Sequence, residues 1–68
     1  MPFIHIRITE DGVSAEKKEE IIRKVTDVMV ETLGKNPATT MVVIDEVPTD
    51  NWGLGGQSIT NIRKKPKS

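Results

Sequence analysis

Residues 41–47 read MVVIDEV, a nearly unbroken apolar and β-branched run that stops at Pro48. A strand of this composition is normally covered on both faces. The chain offers one long helix to cover it. From about Ala15 to Leu33 the period is helical: Ile21, Ile22, Val25, Val28, Met29 and Leu33 form one stripe, and Lys17, Glu20, Lys24, Asp27 and Glu31 the opposite one. One helix shields one face of a sheet, so the second face is expected to be shielded by further copies of the chain.

The flanking segments fit a strand–helix–strand unit. FIHIRIT, from Phe3, alternates: Phe3, His5 and Arg7 point one way, and Ile4, Ile6 and Ile8 the other. Residues 10–12, EDG, end that strand. Ser14 is suited to cap the helix, Glu16 complements its dipole, and Gly34 with Pro37 beyond stops it. Glu20–Lys24 and Glu19–Arg23 stand in the favourable i,i+4 order on the solvated face. After Pro48 comes TDNWGLGG, rich in turn residues; QSITNI follows as a hairpin arm, and RKKPKS as a basic tail. The predicted fold is α/β (α+β): a β-α-β unit with parallel strands and a right-handed crossover, then a C-terminal hairpin. It forms a single domain over 1–68, with a flexible tail at about 64–68. Two parallel strands and one helix do not make an independently stable sheet, which again points to a sheet completed by oligomerisation.

Composition narrows the function classes. A chain of 68 residues buries only about 60% of its unfolded surface, and Phe3 and Trp52 are its only aromatics. Ten basic and ten acidic residues cancel, leaving no global field to attract nucleic acid or an anionic membrane. There is no cysteine and only one histidine. Disulfides, thiolate sites and multi-histidine metal sites are thereby excluded, and neither metal nor cofactor is expected. No apolar run approaches the roughly 18–20 residues that span a bilayer, and no basic segment followed by an apolar one marks a signal peptide. A cytoplasmic location is expected.

Among residues that could carry chemistry, Pro2 stands first. It either merely begins a strand, a position that tolerates proline, or, once Met1 is removed, presents a secondary amine. An α-amino group titrates near 7.7–8.0, against about 10.4 for lysine, so such an amine can act as a general base near neutral pH. GLGG lacks the spacing and the following residues of a dinucleotide or phosphate loop; its glycines suit a hairpin. Trp52 beside them is expected at an interface or pocket wall. His5 has no partners for a catalytic triad and reads as a packed or interfacial residue. Asp45 and Glu46 are neighbours in a strand and point to opposite faces, so they form no carboxylate dyad.

An N-terminal Met-Pro, the strand–helix–strand layout and an aromatic before Gly-x-Gly-Gly together resemble the 4-oxalocrotonate tautomerase family. MPFIHIRITEDGVSAEKKEEIIRKV and VVIDEVPTDNWGLGG carry the resemblance, which runs from Pro2 to about Arg63. It implies that Pro2, freed of Met1, is the general base that moves a proton from an enol or dienol to another carbon. It also implies that Trp52 lines the pocket, and that the chain forms a homo-oligomer, a hexamer of three dimers with sites at subunit contacts. Two arginines that hold a dicarboxylate in well-known members align with Val13 and Met41, neither of which can pair with a carboxylate. The TEDGV turn also has one extra residue. With these departures the resemblance implies weak action on 4-oxalocrotonate itself, and a small enol or unsaturated acid that is either less acidic or held by other cations, Arg7 and Arg63 being the nearest candidates. The same amine could instead serve hydration, dehalogenation or iminium chemistry. A non-catalytic, self-assembling binding module is the alternative from another class.

Overall fold

The computed structural model describes residues 2–64. The chain runs β1 (Phe3–Thr9), α1 (Ala15–Leu33), a 3-10 turn (Pro37–Thr39), β2 (Met41–Val47), a second 3-10 turn (Thr49–Asn51), β3 (Gly53–Leu54), β4 (Gln57–Ser58) and α2 (Ile59–Lys64). The order and bounds of β1, α1 and β2 agree with the periodicities of the sequence.

Local chemistry sets the ends of α1. The Ser14 hydroxyl accepts from the Lys17 amide at 3.2 Å, satisfying one of the donors left free at a helix start. Gly34 takes φ 65°, and its N–H donates to Val30 O at 2.9 Å. Along the exposed face Lys24 Nζ reaches Glu20 at 2.7 Å. The Glu19–Arg23 pair does not close among the described residues, and Lys17 approaches Glu20 instead at 3.6 Å.

β1 and β2 pair in parallel in the register Phe3↔Met41 through Thr9↔Val47. Residues in register share a face. Ile4, Ile6 and Ile8 therefore lie with Val42, Ile44 and Glu46 on the α1 side, where Lys18 of α1 forms an ion pair with Glu46. Phe3, His5 and Arg7 lie with Met41, Val43 and Asp45 on the other side, which no element among the described residues packs over. Phe3 is 62% exposed, Met41 47% and Val43 43%.

The second half of QSITNI departs from the expected hairpin arm. Gly55 and Gly56 both adopt positive φ, 63° and 86°, as a two-residue turn of this hand requires, and β3 pairs antiparallel with β4. The arm then ends at Ser58. Its hydroxyl accepts from the Asn61 amide at 3.1 Å, a helix-capping bond, and Ile59 and Ile62 fall three apart in the α2 that follows. Lys64 is the last residue of α2; the remainder of the expected basic tail, 65–68, lies outside the described residues.

No described residue is buried. The accessible surface is 5274 Å², whereas a compact monomer of 7.6 kDa would expose about 4,300 Å². The radius of gyration is 15.8 Å, against about 11 Å for a compact domain of this length. Apolar residues are thus segregated without being enclosed.

The C-cap offers a clean test of the backbone. A methyl group built on Gly34 meets nothing within 4 Å, so any cost of substitution is conformational. Gly34→Ala is expected to destabilise the protein by roughly 1–2 kcal/mol, and Gly34→Asn by less, read from urea midpoints at fixed protein concentration. An alanine variant as stable as the parent would contradict the left-handed cap.

Candidate functional site

The residues singled out by sequence fall at two opposite ends of the sheet. At one end, Pro2 precedes β1 and its carbonyl accepts from the Met41 amide at 3.0 Å. Met41 opens β2 directly opposite Phe3. Pro2 and Met41 are therefore neighbours within a single chain.

The other end carries Arg7 and Trp52. They line, with Val47, Asn51 and Gly53, an open concavity of about 340 Å³. Trp52 is half-buried. Its carbonyl accepts from the Ile59 amide at 2.7 Å, tying it to the start of α2. The hydroxyls of Thr49 and Thr60 lie 2.6 Å apart, and Thr60 also donates to Asp50, so α2 braces the turn that presents Trp52. Parallel strands put Pro2 and this concavity five residues of β1 apart, roughly 16 Å of extended chain. One copy does not bring Pro2 to Trp52.

Arg7 and Arg63 have different surroundings. Arg63 Nη1 donates to Asp11 Oδ1 at 2.6 Å, and its Nη2 to Thr9 at 3.3 Å and Asp11 Oδ2 at 3.4 Å. Thr9 donates in turn to Asp11 at 2.6 Å. The Arg63 guanidinium, then the Thr9 hydroxyl, hold the Asp11 carboxyl below its ordinary range, and Asp11 raises Arg63. This latch joins α2 to the turn after β1, the turn that also holds Val13. Arg7 has a looser tie: its Nε lies 3.2 Å from Asp45 Oδ2, and His5 Nε2 stands 3.7 Å from the same oxygen.

Asp45 and Glu46 do point apart, the first to Arg7 and His5 and the second to Lys18. The described residues contain no cluster of three or more His, Cys, Asp or Glu able to hold a metal, and no helix long and apolar enough to cross a membrane. Sequence reasoning missed Asn51 as a wall of the concavity and missed the latch altogether. Asn51 follows from its place beside Trp52. The latch joins residues 52 apart and leaves no local signal.

Comparison with known proteins adds a consistent set of likenesses. The sequence pattern of the family described as tautomerase enzyme matches residues 2–62. A probable tautomerase of Dickeya dadantii is 63% identical over 65 residues, which cover 96% of this chain and 97% of that protein. The crystal structure of DmpI from Helicobacter pylori superposes with a TM-score of 0.86 at 45% identity, covering 96% of this chain and all of the other. A heterohexameric 4-oxalocrotonate tautomerase from Chloroflexus aurantiacus superposes with a TM-score of 0.82 at 30% identity, covering 93% of this chain and 100% of that one.

The latch has a pH signature. The folded-state pKa of Asp11 is lowered, so its contribution is present above the unfolded carboxylate range, near 3.9, and is lost as pH falls through the lower folded value. The emission of Trp52, the sole tryptophan, is expected to hold steady from neutral pH to about 4 and to change below. Asp11→Asn should show altered emission already at pH 7. Identical spectra for the two proteins at pH 7 would remove the latch from the account.

Proposed function

The chain belongs to the tautomerase enzyme family, and on that premise we propose that it interconverts the enol and keto forms of a small unsaturated carbonyl acid, with the amine of Pro2, freed of Met1, as general base. The amine takes the proton of the enol hydroxyl, the carbonyl forms as the carbon–carbon double bond shifts, and the ammonium returns the proton to carbon. The separation of the two half-sites is the observation that carries the reading. Pro2 and Met41 occupy one end of β1–β2, and Trp52 and Arg7 the other. A second copy running antiparallel brings its Trp52 end to the Pro2 of the first.

The bare face of the sheet supports such an assembly. Phe3, Met41 and Val43 lie exposed on it, and the surface excess over a compact monomer is of the order of the roughly 800 Å² that one partner buries in a stable interface. A hexamer of three dimers is the assembly proposed, in keeping with the heterohexameric relative. An apolar wall beside Pro2 would disfavour its ammonium form and lower its pKa, which suits a base working near neutral pH.

The substrate proposed differs from the dicarboxylate of that relative. Val13 and Met41 stand where two arginines would clamp such an acid, and a charged contact of this kind is worth about 1.5–3 kcal/mol. Dicarboxylates are therefore poor substrates in this reading.

Two experiments test it. Blocking the amine, by retained Met1 or acylation, is expected to lower kcat/KM for simple enols by roughly 10²–10⁴-fold, with circular dichroism unchanged because Pro2 donates no ladder bond. An N-blocked, assembled protein as fast as the processed one would reduce Pro2 to a strand start. Separately, Met41→Arg is expected to raise kcat/KM for 4-oxalocrotonate by roughly 10-fold or more, since residue 41 adjoins Pro2. No gain, or a parent protein that already prefers the dicarboxylate, would contradict the assignment of position 41.

A further inference from the structure

Arg7 is the one guanidinium in the wall of the Trp52 concavity, and it is incompletely used. Its side chain is 60% exposed. Asp45, paired with it across the parallel strands, sits on the Nε edge at 3.2 Å, and among the described residues no hydrogen bond engages the two terminal nitrogens. Arg63 is the contrast, since both of its terminal nitrogens are committed to Asp11 and Thr9. Lys17 and Lys24 are turned to Glu20 on the outer face of α1, and Lys18 to Glu46 on the helix side of the sheet.

The concavity therefore offers one planar fork of donors, the Asn51 amide beside it and the flat face of Trp52. A guanidinium with two free terminal nitrogens matches a carboxylate in a bidentate pair. An indole wall suits a conjugated, planar body. A single available fork matches a single carboxylate. From this set we infer that Arg7 is the carboxylate-binding residue of the site, and that the substrate is a planar enol acid with one carboxylate held on Arg7 against Trp52. Asp45 meets Arg7 at its Nε edge, which leaves the two terminal nitrogens open to a ligand. The inference rests on the reading of the chain as a Pro2 tautomerase whose site spans two copies, and it replaces the two absent family arginines with one cation on a different strand position.

The test compares phenylenolpyruvate with its methyl ester, which keeps the enol and the ring and loses the charge. Arg7→Ala is expected to lower kcat/KM for the acid by roughly 10- to 100-fold, chiefly through KM, and to change the ester far less. Arg7→Lys, which keeps the charge and loses the fork, should fall between. An equal loss on acid and ester overturns the inference while leaving Pro2 as the base. If Arg7→Ala fails to assemble by sedimentation, the parent protein decides: quenching of Trp52 by 3-phenylpropanoate should occur at roughly tenfold lower concentration than by its methyl ester, and equal quenching overturns the inference. Failure of the tautomerase reading shows up differently, as activity that survives N-terminal blocking; the binding comparison then still decides Arg7.

Discussion

Parallel pairing of β1 with β2 under a single helix is the constraint on which the rest of the molecule depends. A parallel pair needs a crossover, and α1 is that crossover, so it lies over one face and leaves the other bare. The bare face carries Phe3 and Met41 at its Pro2 end, His5 and Val43 at its middle, and Arg7 and Asp45 further along. No described residue is buried in the isolated chain. For a chain with so little enclosed apolar surface, stability and assembly are one problem, because a small core rarely outweighs the chain entropy lost on folding.

The same pairing divides the chemistry. Parallel strands start together, so Pro2 and Met41 share one end; they also finish together, so Arg7, Val47 and the Trp52 turn share the other. The crossover that builds the fold thus holds the proposed base roughly 16 Å from the proposed binding pocket. In this account, the contact that encloses the apolar face is also the one that completes the site. The bonds around Trp52, through Thr49, Asp50, Thr60 and the Arg63–Asp11 latch, brace the pocket wall within a single chain.

Much of this was legible in local patterns. The isoleucine alternation of β1, the Ser14 and Gly34 caps and the MVVIDEV run each have one physical interpretation, and the elements lie where those patterns put them. The need for a second cover on the sheet was also readable, because it follows from counting faces. α2 was hidden because QSITNI follows the GLGG turn directly and so reads as the returning arm of a hairpin, although Ile59 and Ile62 are three apart and Ser58 can cap. The capping bond to Asn61 decides for the helix. Pro2, Met41, Trp52, Arg7 and Arg63 each stand out in the sequence as candidates. Their division between two ends was not readable, because it depends on strand register. The commitment of Arg63 to Asp11 depends on a contact spanning 52 residues, which no short-range pattern encodes.

Subunit complementation tests the shared site most directly. One population carries a blocked Pro2 with an intact Trp52; the other carries an intact Pro2 with Trp52→Ala. Each alone should be weakly active. Unfolded together in equal amounts and reassembled, they should recover activity at about a quarter of the sites, those that join an intact Pro2 to a neighbour's intact Trp52. Activity no higher than the mean of the two separate populations, in assemblies shown to be mixed, would mean that each chain carries its own site and would contradict the account.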